Sequence, residues 1–158
     1  MDGRTIIDLL GGHHETSTAL LGVYPADRLP SRLIKRPSLV IINTDTSYRP
    51  GKHWLAVYLR GDGRYAEFFD PYGKHYRAYH EAIGVFVERN GSFCVKVQQS
   101  QLQNRGSTSC GYFCVFYSLL RANGLTMDYI TKLFTEYMNS NEAEMIKFVK
   151  TYHCVTRM

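Results

Sequence analysis

The spacing of apolar and polar positions changes several times along the chain, and each change marks an element. Thr5 to Leu10 reads as a short amphipathic helix stopped by Gly11-Gly12. His13 to Pro37 reads as irregular chain, punctuated by Pro25, Pro30 and Pro37. Leu39-Val40-Ile41-Ile42 is a continuous apolar run of strand length, the pattern of a strand covered on both faces. A loop from Asn43 to Gly51 follows. His53 to Leu59 forms a second strand, and Arg60-Gly61-Asp62-Gly63-Arg64 connects it as a hairpin to a third, Tyr65 to Phe69. That strand ends abruptly in Asp70-Pro71-Tyr72-Gly73.

Tyr76 to Arg89 carries a helical pattern through Tyr79, Ile83, Phe86 and Val87, and Phe93 to Val97 alternates as a fourth strand. Gln103 to Tyr117 runs from a polar, Gly-containing loop into a dense apolar segment that predicts a buried central helix. Leu125 to Met138 and Glu142 to Tyr152 complete the chain as two amphipathic helices. The order predicts an α+β fold: a small mixed or antiparallel sheet packed against the central helix, in one domain over residues 1–158.

Composition narrows the class. A chain of 158 residues with 12 Tyr and 8 Phe can bury a substantial core. The 19 Lys and Arg against 14 Asp and Glu permit contact with nucleic acid or an acidic surface, but these basic residues are scattered and form no block. The four cysteines (94, 110, 114 and 154) are too sparse for a disulfide framework. With no segment resembling a signal peptide or a membrane span, a reducing compartment is expected, with no secretion.

Cys110 stands at the joint between the polar loop and the apolar helix, with Ser107, Thr108 and Ser109 as candidate N-caps. A helix N-terminus favours an anion and hence the thiolate, which is the nucleophile. The competing reading is a small buried apolar residue, which Cys114 one turn later satisfies. Nucleophilic catalysis also requires a base, a group to orient it and oxyanion donors. His53 opens one strand, and Asp70 closes its hairpin partner, held extended by Pro71. Pairing through a turn near Gly61 to Gly63, with partner numbers totalling about 122–124, brings both to one end of the hairpin. Gln103, seven residues before Cys110, carries an amide that can join the Cys110 N–H as an oxyanion donor. Two other readings use the same residues. One is a binding module without catalysis. The other is a zinc site from Cys110 and Cys114, completed to a tetrahedron by His153 and Cys154, although that spacing lacks a zinc knuckle. His13, His14, His75 and His80 read as solvated or turn residues.

Taken together, Ile42-Asn43-Thr44, Gly51-Lys52-His53-Trp54, Phe69-Asp70-Pro71-Tyr72-Gly73 and Gln103 through Ser109-Cys110-Gly111-Tyr112-Phe113-Cys114 resemble the adenovirus-type cysteine proteases, the adenain family, more distantly related to SUMO-specific proteases. The resemblance runs over roughly residues 20 to 138 and implies an adenain-like, papain-like fold. It also implies Cys110 as nucleophile, His53 as base and later acid, Asp70 as orienting group and Gln103 as oxyanion donor. The family's type member has Glu where this chain has Asp70. Trp54 and Asn43 match substrate-binding positions, and the narrow channel beside Trp54 implies cleavage after Gly-Gly or Gly-x pairs preceded by a medium apolar residue.

The implied substrates are viral capsid and core precursors processed during virion maturation, in the virion and the host nucleus or in the cytoplasm. An alternative substrate is the tail of a ubiquitin-like protein, and a further alternative is an inactive module that binds Gly-Gly tails or DNA. No metal or small-molecule cofactor is implied. The implied activators are a capsid-derived peptide, disulfide-bonded through Cys94, and DNA held by a non-specific basic surface. A monomer is expected. Leu9-Leu10-Gly11-Gly12 also fits the cleavage preference, as a self-cleavage site or simply as a helix end.

Overall fold

The computed structural model describes residues 1–33, 35–91 and 94–155. Five strands form one sheet in sequential order: β1 (Leu20–Pro25), β2 (Ser38–Asn43), β3 (Trp54–Leu59), β4 (Tyr65–Phe69) and β5 (Cys94–Val97). The sheet is mixed. Its central pairs, β2/β3 and β3/β4, are antiparallel, and the outer pairs, β1/β2 and β4/β5, are parallel.

Six helices surround it: α1 (Gly3–Gly11), α2 (His14–Ala19), α3 (Glu81–Asn90), α4 (Cys110–Ala122), α5 (Met127–Lys132) and α6 (Met138–Val155). None of the described helices is long and apolar enough to cross a membrane.

The apolar run in β2 is explained by two cores. Leu39 and Ile41 point into the core built with α1, α4 and α6, while Val40 and Ile42 point into the one built with α3. Every residue of β2 is buried, so successive side chains are apolar instead of alternating. Helix α4 lies against the first face and is apolar nearly all round, as a helix covered by both sheet and helices must be.

Four features depart from the sequence pattern. The stretch read as irregular contains α2 and β1, whose Gly22 and Pro25 mask a half-buried edge strand that pairs with β2. His13 is buried with its ring 4.4 Å from that of Tyr152 on α6, a tertiary contact that local sequence does not reveal. The single helix expected from Leu125 to Met138 breaks after Lys132. Asn141 braces the bend, accepting from the Thr135 N–H at 3.1 Å and donating to the Thr135 carbonyl at 2.7 Å. In the β3/β4 hairpin Ala56 pairs with Phe69 and Val57 with Phe68, just outside the expected register. Continuing this register sets Asp70 opposite Leu55, two residues from His53. Phe93, expected in the fourth strand, lies outside the described residues. Leu9 and Leu10 are buried in α1, which runs through Gly11, so the Gly11-Gly12 segment is the end of a packed helix.

One buried ion pair ties α4 to the sheet. Arg121 Nε donates to Glu67 Oε2 at 2.8 Å, Tyr117 Oη donates to the same oxygen at 2.6 Å, and the guanidinium lies 4.2 Å from the Tyr58 ring centre. Arg121→Ala is expected to destabilise the fold by about 3–5 kcal/mol in urea unfolding, because it strands a buried carboxylate. Replacing Glu67 and Arg121 together by Leu and Met is expected to recover most of that loss.

Candidate active site

A cleft of about 750 Å³ opens at the end of the sheet where β3 begins, and Cys110, His53 and Trp54 line it. Cys110 is the first residue of α4 and is 8% exposed, enough to be reached from the cleft while its surroundings stay largely dry. His53 precedes β3 and Asp70 follows β4, so the β3/β4 hairpin delivers both to the start of α4, where Cys110 stands.

The His53 Nε2–H donates to Asp70 Oδ1 at 2.7 Å, which leaves Nδ1 for Cys110. The Asp70 carboxylate is fully buried and collects three further donors. The Tyr72 N–H reaches Oδ1 at 2.9 Å, while the Lys74 N–H at 2.9 Å and the Tyr79 hydroxyl at 2.6 Å reach Oδ2. Two of these come from the Asp-Pro-Tyr-Gly turn, whose Gly73 adopts φ +70° and packs so closely on the 99–100 main chain that a Cβ there would lie 2.7 Å from Gln99 O. The Tyr72 ring stacks on His53 with centroids 4.6 Å apart.

These contacts set the charges. Burial opposes ionisation of Asp70, but the bonds from His53, Tyr79 and Tyr72 outweigh it and hold the carboxyl below its ordinary range. Burial also opposes the His53 imidazolium, yet Asp70 and Cys110 raise its pKa to about 9. Burial pushes the Cys110 thiol up. The His53 hydrogen bond, the Trp54 and Gly111 N–H groups and the imidazolium charge overcome this and bring it below its ordinary value. Both shifts favour the thiolate–imidazolium pair. Cys114 is fully buried, and burial pushes its thiol well up, so it packs and does not react.

The structure brings Cys110, His53 and Asp70 together. Gln103 is buried beside them without lining the cleft. Its Nε2 donates to Ser107 O at 2.9 Å and also faces Ser107 Oγ at 3.4 Å, so the amide braces the loop that precedes Cys110. Asn43 lines the cleft, and its Oδ1 closes the loop that follows β2 by accepting from the Asp45 N–H at 3.0 Å and the Lys52 N–H at 3.2 Å. Trp54 is held by its indole N–H, which donates to Met1 O at 3.0 Å. Met1 also packs on the nucleophile's helix, where a Cβ on Gly111 would come within 2.9 Å of its sulfur. His75 and His80 are exposed and cap the turns they begin, and His14 is exposed. Among the described residues no three or more His, Cys, Asp or Glu side chains are grouped to hold a metal ion.

The sequence did not reveal Met1, Tyr72 or Tyr79 as parts of the site. Tyr72 had a signal, since it sits inside the Asp-Pro-Tyr-Gly motif, whereas Tyr79 and Met1 arrive only through the folding of distant segments. Ser109 takes the N-cap position as the sequence suggested, but its side chain makes no capping bond. Its hydroxyl instead meets the hydroxyl of Ser107 and the carboxylate of Glu142 on α6.

Peptide cleavage is expected to follow a bell-shaped pH profile. Its acid limb is the ionisation of Cys110 below the ordinary thiol range, and its alkaline limb falls as His53 loses its proton through about pH 9. Alkylation of Cys110 by iodoacetamide requires only the thiolate and is expected to stay fast above that limb. Asp70→Asn removes the largest influence raising the His53 pKa, so the alkaline limb should move to lower pH; an unmoved limb would assign it to another group.

Comparison with known proteins agrees with this geometry. No individual curated protein matches the chain. The family model described as adenovirus endoprotease matches residues 20–147, which span all five strands, the β3/β4 hairpin, Gln103 and the whole of α4. The chain therefore belongs to the adenovirus endoprotease family and is a cysteine endopeptidase with a mixed-sheet α+β fold.

Proposed function

We propose that this chain is a viral or virus-derived endopeptidase that processes capsid and core precursors during virion maturation, with Cys110 as nucleophile. The observation that carries the assignment of roles is the contact chain Asp70–His53–Cys110, anchored by the 2.7 Å bond from His53 Nε2 to Asp70 Oδ1 at the cleft.

The Cys110 thiolate attacks the scissile carbonyl carbon, and the developing oxyanion meets the N–H groups at the start of α4, with the Gln103 amide, turned from Ser107 toward the cleft, as a further donor. As the C–N bond breaks, the His53 imidazolium passes its proton to the leaving amine, and a thioester remains on Cys110. Neutral His53 then takes a proton from water, whose oxygen attacks the thioester. Collapse releases the acid and restores the thiolate and imidazolium. Asp70 stays ionised throughout and keeps the ring in register.

The cleft supports recognition of an extended chain with small residues at the cleaved bond. Trp54, fixed by Met1, forms one wall beside Cys110, and a glycine passes such a wall without a side-chain clash. Cleavage is accordingly expected after Gly-Gly or Gly-x pairs with a medium apolar residue two positions earlier. Work in the virion and the host nucleus or cytoplasm, as a monomer, fits this role.

Activation by a short peptide through Cys94 is supported by its position, an exposed thiol at the start of the edge strand β5. DNA is proposed as a second activator, acting through spread positive charge.

A peptide library incubated with the wild type, Cys110→Ala and His53→Ala, with and without DNA, tests the assignment. Turnover by the wild type is expected to exceed that of either variant by at least about a thousandfold. Equal turnover by Cys110→Ala would defeat the assignment of the nucleophile. For the activator, a Cys-containing peptide is expected to form a mixed disulfide at Cys94 and raise cleavage, and Cys94→Ser should lose that increase while keeping basal turnover.

A further inference from the structure

Helix α4 begins in an unusual way for a helix preceded by Ser-Thr-Ser. An N-cap serine ordinarily turns its hydroxyl onto the N–H of the second or third helical residue, here Gly111 or Tyr112. Ser109 does not, and its backbone (φ −89°, ψ 9°) lies outside the extended geometry of a capping residue. Its hydroxyl points to Glu142 Oε1, which also receives the Ser107 hydroxyl. The two hydroxyls are 2.7 Å apart, and Ser107 Oγ additionally accepts the Ser109 N–H at 3.1 Å. A second tie joins the same two segments, since Asn104 Nδ2 donates to Asn139 Oδ1 at 3.0 Å. Asn139 and Glu142, within one turn of α6, therefore clamp the loop that begins at Gln103, and Gln103 itself donates to Ser107 O at 2.9 Å.

The consequence is chemical as well as structural. The Gly111 N–H is a donor to the Cys110 thiolate. A Ser109 hydroxyl turned onto it would take that donor and draw the first turn of α4 into a closed cap. An open helix start is what a nucleophile and a developing oxyanion require.

The Tyr112 N–H already donates to Ser109 O at 2.8 Å, and from this arrangement we infer that Glu142 is a positioning residue of the protease, holding the Ser107 and Ser109 hydroxyls away from α4 so that the Cys110 and Gly111 N–H groups stay open to the reacting atoms. The inference rests on Cys110 being the nucleophile. It assigns Glu142 no contact with substrate.

The test is steady-state kinetics on a fluorogenic Leu-Ala-Gly-Gly peptide together with second-site rescue. Glu142→Ala is expected to lower kcat by at least about tenfold, less than the outright loss of an oxyanion donor, and to leave KM within about threefold. Glu142→Gln, whose amide oxygen can still accept a hydroxyl, is expected to retain most of kcat. Glu142→Ala combined with Ser109→Ala removes the hydroxyl that would close the cap and is expected to recover at least half of the loss on a logarithmic scale.

Wild-type kcat in Glu142→Ala would overturn the inference, and so would a double variant no faster than Glu142→Ala alone. The same would follow if Glu142→Gln were as slow as Glu142→Ala, or if KM rose with the fall in kcat. Cys110→Ala run in parallel separates the two levels. Cleavage that survives Cys110→Ala defeats the assignment of the nucleophile, whereas Cys110-dependent cleavage with an unaffected Glu142→Ala defeats this inference alone.

Discussion

The site depends on the Asp70 carboxylate, a buried anion surrounded by donors. Desolvating a carboxylate costs several kcal/mol unless hydrogen bonds and an opposite charge replace the lost water. Here two main-chain N–H groups, a tyrosine hydroxyl and an imidazole make that replacement. Because the donors come from the turn after β4, from Tyr79 and from the start of β3, the carboxylate is satisfied only when all three segments are in place. His53 is thereby oriented by the fold before any substrate arrives, which is the preorganisation that general base catalysis exploits.

Cys110 is coupled to that anion through the sheet. Phe69, the residue before Asp70, stacks on Tyr117 of α4 with centroids 4.4 Å apart and planes within 8°. Tyr117 and Arg121 then bind Glu67, two residues earlier on β4. Strand β4 thus leads directly into the Asp70 carboxylate and binds α4 through Phe69 and Glu67, so a chain of direct contacts joins Asp70 to the helix that begins with Cys110. The loop before α4 is anchored to the same region, since the N–H groups of Leu102 and Gln103 both donate to Pro71 O, at 2.9 and 3.0 Å.

The remaining walls of the cleft come from farther away in sequence. Met1 fixes Trp54 and covers Gly111, Asn43 closes the loop beside His53, and α6 holds the Ser107–Ser109 segment through Glu142. The Met1 and Glu142 contacts join segments separated by dozens of residues. A change in α6 or at the amino-terminal helix is therefore connected by direct contacts to the geometry around the thiolate.

Local pattern in the chain was sufficient for the strands β2, β3 and β4, the central helix, the hairpin and the cysteine at the helix start, because periodicity and turn residues act over short distances. Chemistry-bearing residue types in the order His, Asp, Gln, Cys identified the family. The strand β1 escaped that reading, since its pairing with β2 and not its own composition makes it a strand. Likewise, nothing local distinguishes His13 as buried or Ser109 as an uncapped N-cap. The sequence alone determined which side chains could perform the chemistry. The tertiary structure decided their ionisation and aim, because pKa values and hydrogen-bond directions depend on burial and on partners that only folding brings within 3 Å.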